Sequence, residues 1–296
     1  MNIILVHGSV ETSCDPPYIA SLQQAALAGS EVIDNNLIDA VEKAVIVLEN
    51  EPLFNAGYGS VLNLDGQVEM DAAIMDGTNL RCGAVAAIQD VQNPIAVARK
   101  VMEQTSHVLL AGQGATAFAR KMSFPYFNPA TDLQRSSWEK ISAALAKGEK
   151  PNYSSFTGLP TACDTVGCVA VSSGCTAAGS STGGSFLKLP GRVGDTPVIG
   201  GGIYASEHGA AICTGLGEMF IRLQAAAWTV NLLAQGVTAS EAARSAIRRL
   251  FQFGARGGML VVAANGQAAA VHNTSSFPVA LAIDGAIVKD FQPELL

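Results

Sequence analysis

The sequence predicts an α+β protein in which antiparallel sheets are sandwiched by helices. Three observations predict it: strand-like segments stand at both ends and in the middle of the 296 residues, paired helical segments lie between them, and regular βαβ alternation is missing. The length allows one large domain or two ordinary ones. Hydrophobic content of 49% against 15% charged residues calls for a large core with a modest solvated surface.

Residues 3–6, Ile-Ile-Leu-Val, form a short buried strand. Leu37, Val41, Val45 and Leu48 recur at helical spacing over 36–50, and Pro52 follows the end. Three strand-like pieces come next, 60–64, 68–75 and 82–88, separated by turn residues such as Asp65-Gly66. Asn93-Pro94 opens a helix to about residue 104, and 107–110 is short and apolar. From 120 to 161 the chain changes character, with Pro125, Pro129, Pro151 and Pro160 and little periodicity beyond a short helix around 138–146. So long an irregular stretch inside a compact domain demands a reason. Strands follow at 165–171 and 176–180, then a Gly/Pro-rich irregular stretch over 183–202. A strand at 210–214 runs through Thr-Gly-Leu-Gly-Glu into a helical stretch to 233, and Thr238-Ala-Ser-Glu241 is a capping box opening a helix to about 250. The chain returns to strands at 259–263, 268–272 and 280–287, with Asn265-Gly266 and Asp284-Gly285 as hairpin turns.

A net charge of −7 without any long Lys/Arg run argues against nucleic acid as a partner. Met1 leads directly into an apolar strand, so a signal peptide is not expected. No uncharged apolar run reaches the length of about 18 residues that spans a bilayer, so no membrane partner is expected. The six cysteines and four histidines are scattered without metal-ligand spacing, which argues against a preformed zinc site and for reduced thiols in a cytoplasmic protein.

Several motifs compete for the chemistry. Gly112-Gln-Gly-Ala-Thr-Ala imitates a dinucleotide fingerprint, but its acid, Asp132, falls in the irregular stretch rather than on a second strand. Gly179-Ser-Ser-Thr-Gly183 matches a nucleophile elbow centred on Ser181, with Asp195 and His208 following in α/β-hydrolase order. Two glycines and Pro190 occupy the place where that elbow requires a helix. Glu69, Asp71 and Asp76 could be acid/base carboxylates, against the plainer reading of a hydrogen-bonded or solvated edge. Cys163 and Cys168 lack a recognisable neighbouring base, and Cys168 reads as packing.

Thr165 opens a core strand directly after the irregular stretch, in Cys163-Asp-Thr-Val-Gly-Cys168. A threonine hydroxyl is a weak nucleophile without a base, and its own free α-amine can supply one. That amine exists only if the Asp164–Thr165 bond is cut. The hydroxyl can cut it through an N→O acyl shift and ester hydrolysis, and the long preceding segment would let the new terminus leave.

Read together, the blocks LENEPLFNAGYGSVL (48–62), VEMDAAIMDG (68–77), DTVG (164–167), STGG (181–184), LPGRVGD (189–195) and TGLGE (214–218) resemble the plant-type (type III) asparaginase / isoaspartyl aminopeptidase family of N-terminal-nucleophile hydrolases. The resemblance implies a single domain over 1–296 with a four-layer αββα sandwich. It also implies autocleavage at Asp164–Thr165 into an α subunit 1–164, with a mobile linker over about 125–163, and a β subunit 165–296, paired as an (αβ)2 dimer. The activity implied is hydrolysis of L-asparagine and β-aspartyl dipeptides, with no cofactor for catalysis.

By position, the resemblance makes Thr165 the nucleophile and Thr182 its hydrogen-bond partner. Thr214 and the Gly215 N–H become the oxyanion hole, with a further donor from Asn55. Arg192 would take the substrate α-carboxylate, for which a planar fork is the fitting chemistry. Asp195 and the Gly217 carbonyl would take the α-ammonium. The residues agree in kind, because Gly191-Arg-Val-Gly-Asp195 sets a cation and an anion three apart in a Gly-rich loop, as a zwitterionic head group requires. The block at 48–58 also resembles the family's sodium loop, whose ligands would be the carbonyls of Leu48, Glu49, Glu51, Phe54, Ala56 and Tyr58.

Three departures stand out. His7-Gly8-Ser9 replaces the usual His-Gly-Gly, Asp164 precedes the nucleophile as in glycosylasparaginase and taspase, and Cys168 follows Thr-Val-Gly. Glycosylasparaginase-like specificity and an uncleaved, inactive binding homologue are the rival readings.

Overall fold

The computed structural model describes residues 1–147 and 165–296. The elements in order are β1 (Asn2–His7), α1 (Pro16–Ser30), α2 (Leu37–Glu49), β2 (Met70–Asp76), β3 (Cys82–Ile88), α3 (Pro94–Gln104), β4 (Leu109–Ala111), α4 (Gly112–Lys121) and α5 (Asp132–Ala146). After the undescribed segment come β5 (Thr165–Ser172), β6 (Cys175–Thr182), β7 (Ile203–Ser206), β8 (Gly209–Gly215), α6 (Gly217–Leu223), α7 (Ala225–Ala234), α8 (Ala239–Gln252), β9 (Gly257–Ala263), β10 (Ala268–His272), β11 (Val279–Ile283), β12 (Ala286–Ile287) and β13 (Glu294–Leu295).

Two sheets result, with orders β12-β11-β1-β5-β6-β2-β3-β4 and β13-β10-β9-β8-β7, antiparallel except for β3–β4 and β10–β13. Strand alternation divides the apolar residues into three cores. Ile3, Leu5, Val169, Val171, Ile212 and Leu260 fill the space between the sheets. Ile4, Val6, Val166 and Cys168 turn the other way and pack on α1, α2 and α3 through Leu22, Val41, Val45 and Ile95. Cys213, Met259 and Val261 pack outward on α6, α7 and α8. The layers are therefore helix, sheet, sheet, helix. This is why β5 reads as one apolar run: a strand covered on both faces has no solvent side to make polar.

Local chemistry explains most element ends. Asn36 caps α2 by accepting from the N–H groups of Ile38 and Asp39, and Thr238 caps α8 by accepting from Glu241 N–H. Asp284 and Gly285 have φ of 47° and 80°, the two left-handed residues of a type I′ turn. At Asn265-Gly266 only the glycine is left-handed, at 90°, so that turn is of another kind.

Four expectations change. Helix α1 was not legible, because its buried face is mostly small (Ser21, Ala25, Ala26 and Gly29 beside Leu22) and carries little hydrophobic periodicity. Residues 60–64 are not a strand. Asn63 Oδ1 accepts the N–H groups of Asp65 and Gln67 and folds the chain back locally, while Leu62 and Leu64 pair with Leu187 and Lys188. The helix expected over 138–146 begins at Asp132 and docks on this turn, with Trp138 Nε1 donating to Asn63 O at 2.9 Å and Gln134 Nε2 to Gly59 O at 3.2 Å. The helical stretch to 233 is two helices, broken at Gln224, whose φ is 49°.

Candidate active site

Thr165 and Thr182 are cross-strand partners at the end of the β5–β6 ladder. Both share the side-chain parity of Val169 and Ala178, so both face the second sheet. Thr165 Oγ1 donates to Thr182 Oγ1 at 3.2 Å, and Thr182 Oγ1 accepts the Gly184 N–H at 3.0 Å. Thr165 is 4% exposed, its hydroxyl held on the side of β5 that faces the second sheet. Asp164 and Cys163 lie outside the described residues, as do residues 148–162 of the expected linker.

Thr214 approaches from β8 in the opposite sheet, 1% exposed, with its Oγ1 2.7 Å from Ser9 Oγ. Gly215 follows with φ of 128°, and a Cβ there would lie 2.6 Å from Arg256 O and from Gly257 Cα. Only glycine lets β8 pass that close to β9 before turning into α6. Asn55 carries no hydroxyl contact of this kind. Its Nδ2 donates to Gly184 O at 2.7 Å and its Oδ1 accepts Val61 N–H at 2.8 Å, while its carbonyl accepts Gly183 N–H. Asn55 thus clamps the turn that carries Thr182.

The Gly191–Asp195 loop is built from β2. Glu69 Oε2 accepts Gly191 N–H at 2.9 Å, and Asp71 Oδ2 accepts Gly194 N–H at 3.1 Å. Glu69 and Asp71 are therefore hydrogen-bonded scaffolding, the plainer of the two readings open to them. Burial raises the Asp71 pKa, and Lys188 and Arg192 pull it back. Arg192, Asp195 and Gly217 meet at one point: a Cβ on Gly217 would sit 2.7 Å from Asp195 Oδ1 and 3.3 Å from an Arg192 terminal nitrogen. Asp195 Oδ2 is buried with no hydrogen-bond partner among the described residues. Burial pushes its pKa up to about 7, against the neighbouring Arg192 charge. A lone buried carboxyl beside a guanidinium suits a zwitterion that brings its own cation.

Sequence reasoning missed three participants. Glu218 Oε1 accepts from Arg192 Nε at 3.0 Å and from its terminal nitrogen at 2.9 Å, fixing the fork. His7 is fully buried, and Nδ1 accepts Ser9 N–H at 3.0 Å, so the neutral ring carries its proton on Nε2. Burial lowers its pKa to about 3, offset in part by an interaction with the Thr165 backbone. The third is Ser9, whose signal was the departure from His-Gly-Gly.

The competing motifs do not assemble. Ser181 is fully buried and faces the helix layer near Glu49, away from the gap, while His208 is half-exposed on the β7–β8 turn beside Glu207. Cys168 is fully buried, and burial drives its thiol pKa far up, so no thiolate forms. The Gly112 motif does join a strand to a helix, but Asp132 opens α5 rather than ending a second strand. A surface cavity of about 440 Å³ lined by Cys14, His272, Phe277 and Phe291 contains none of the site residues.

The segment after α2 suits a hard monovalent cation. Glu49 O and Glu51 O accept an N–H from Tyr58 and Phe54 respectively, which leaves each a second lone pair, while Leu48 O takes N–H groups from Asn50 and Glu51. Gly57 turns at φ of 55° so tightly that a Cβ would lie 2.5 Å from Glu49 O. The donors are all oxygen, the ligand type that hard cations prefer. Among the described residues no group of three His, Cys, Asp or Glu side chains could hold a metal.

Comparison with known proteins bears on this arrangement. A family described as asparaginase matches residues 2–289. A plant-type L-asparaginase of Pyrococcus abyssi is 48% identical over 257 residues, covering 83% of this chain and 84% of the relative. One from Pyrococcus furiosus is 45% identical over 298 residues, covering 96% and 97%. An isoaspartyl peptidase/L-asparaginase of Xenopus laevis is 40% identical over 301 residues, covering 98% and 93%.

Proposed function

The chain belongs to the asparaginase family, and from that premise we propose that it hydrolyses the side-chain amide of L-asparagine and the β-aspartyl bond of isoaspartyl dipeptides. The observation that carries the reading is the pairing of one hydroxyl cluster with one zwitterion cradle: Thr165, Thr182 and Thr214 at the sheet gap, Arg192, Asp195 and Gly217 converging beside it.

In the immature chain the Thr165 hydroxyl adds to the Asp164 carbonyl, the acyl group moves from nitrogen to oxygen, and water opens the ester. The freed α-amine then takes the proton of Thr165 Oγ1 as that oxygen attacks the substrate carbonyl. Thr182 holds Oγ1 in line. The negative charge that develops on the carbonyl oxygen is met by the Thr214 hydroxyl and the Gly215 N–H. One preorganised donor of this kind contributes about 3–4 kcal/mol to the transition state. Ammonia or the amino acid leaves with the proton, and water attacks the β-aspartyl ester to release aspartate. Arg192 pairs with the α-carboxylate and Asp195 with the α-ammonium, so the substrate itself supplies the partner that the Asp195 Oδ2 lacks.

A sodium ion on the carbonyls of Leu48, Glu49, Glu51, Phe54, Ala56 and Tyr58 belongs to the same reading. It would hold the segment that carries Asn55 and, through it, the Thr182 turn. The (αβ)2 assembly and a cytoplasmic location complete the reading. Among the described residues no helix is long and apolar enough to cross a membrane.

Intact mass and N-terminal sequencing test it. The purified chain should yield a fragment beginning Thr-Val-Gly-Cys and release aspartate from asparagine and from β-Asp-Leu. A chain that stays whole and turns over neither substrate would overturn the reading.

A further inference from the structure

Ser9 lies just after β1, fully buried, with φ of 80°. A side chain in that left-handed region is strained, and a non-glycine residue persists there only where its surroundings hold it. Two contacts do so. The Ser9 N–H donates to His7 Nδ1 at 3.0 Å, and Ser9 Oγ reaches across the sheet gap to Thr214 Oγ1 at 2.7 Å. The strained backbone is what aims the hydroxyl at β8, so the strain and the contact belong together.

We propose that Ser9 is a positioning residue for the hydrolysis, donating its hydroxyl proton to Thr214 Oγ1 so that the proton of Thr214 points at the carbonyl oxygen under attack. The inference rests on the reading of Thr214 as an oxyanion donor. A threonine hydroxyl has one proton and can rotate to give it to any nearby acceptor. With Ser9 Oγ–H on one lone pair of Thr214 Oγ1, the Thr214 proton is not spent on Ser9 and is left for the carbonyl oxygen under attack. A donor that is already aligned needs no reorganisation when charge develops. Ser9 acts through Thr214, whose Oγ1 lies 2.7 Å from its own hydroxyl.

The test is steady-state kinetics with L-asparagine on Ser9→Gly and Ser9→Ala, with activity counted per cleaved chain on gels and melting measured in parallel. Glycine accepts the left-handed φ, so Ser9→Gly should melt at or above the wild-type temperature. Its kcat should nonetheless fall about 10- to 100-fold with KM unchanged, part of the roughly 100- to 1,000-fold that losing one oxyanion donor outright costs. In a Thr214→Ala background Ser9→Gly should cause no further loss, because the two hydroxyls act as a unit. Wild-type kcat in Ser9→Gly, a full additional loss in the Thr214→Ala background, or failure of both Ser9 variants to fold would each overturn the proposal. Failure of the function itself reads differently: wild type and Thr165→Ala would then show the same lack of asparagine turnover.

Discussion

Thr165 Oγ1 lies 3.2 Å from Thr182 Oγ1, hydroxyl to hydroxyl across neighbouring strands, with the Gly184 N–H donating to the far side of Thr182. The backbone donor leaves Thr182 Oγ1 a lone pair for Thr165 and fixes where that lone pair points. The Thr165 hydroxyl is thus oriented by the β6 terminus rather than by a mobile side chain.

Removing this partner should slow the reaction without abolishing it. Thr182→Ala is expected to lose about 1–3 kcal/mol of transition-state stabilisation, roughly 5- to 150-fold in kcat, the range for a buried hydroxyl contact. Thr165→Ala should remove both turnover and chain cleavage. Ser181→Ala should leave activity near wild type, since Ser181 is buried on the helix side of β6. Initial-rate assays beside denaturing gels separate the three, and an inactive Ser181→Ala would restore the serine reading.

The pH profile should carry the signature of Asp195. Its pKa is raised to about 7 by burial, so in the free enzyme the carboxyl is neutral below that value and cannot pair with an ammonium. The kcat/KM for asparagine should therefore climb between pH 6 and pH 8. Asp195→Asn should flatten that limb and cost about 2–5 kcal/mol in kcat/KM, as losing one partner of a buried charge pair does. A profile unchanged by the substitution would remove Asp195 from substrate binding.

Glu218 should affect binding more than chemistry. One of its oxygens accepts from two nitrogens of Arg192 and holds the planar fork. The carboxylate is about half exposed, so solvent screens the pair, and its loss should be worth no more than about 1 kcal/mol. Glu218→Gln is expected to raise KM about 3- to 5-fold at constant kcat, measured by saturation kinetics.

Stability should fall with rising pH because of Glu49. Burial raises its pKa from 4.5 to about 8, so the folded protein keeps a proton that the unfolded chain has released across that window. Unfolding therefore becomes easier as pH rises from about 4.5 to about 8. His7 runs the other way, but below pH 6.5, where its depressed value makes acid destabilising. Thermal melts of Glu49→Gln against wild type isolate the first effect. The variant should show a shallower slope across the window and a higher melting temperature at pH 8.

Much of the site was legible because it is short-range. The Gly191-Arg-Val-Gly-Asp195 loop, the Thr165 strand start and the Thr214-Gly215 strand end each announce themselves in a few consecutive residues, and the fold sets Gly217, just past Thr214, against Asp195 and Arg192. Glu69 and Asp71 take the plainer of their two readings, a hydrogen-bonded edge. A carboxylate bonded to backbone N–H groups 120 residues away looks the same in sequence as one waiting for a proton, and only the contacts to Gly191 and Gly194 separate the two. Helix α1 escaped for another reason: Ala and Gly can face a core without leaving a periodic mark.

What the chain order alone determined is the alternation of apolar strands and amphipathic helices, and hence two sheets between helical layers, because burial periodicity is local. It also set the residue types of nucleophile and cradle. Which hydroxyl meets which was decided only on folding. Ser9 reaches Thr214, and Asn55 reaches Gly184, across 205 and 129 residues. Such pairs depend on strand register and on which face each side chain takes, and both are settled by the packing of one sheet on the other.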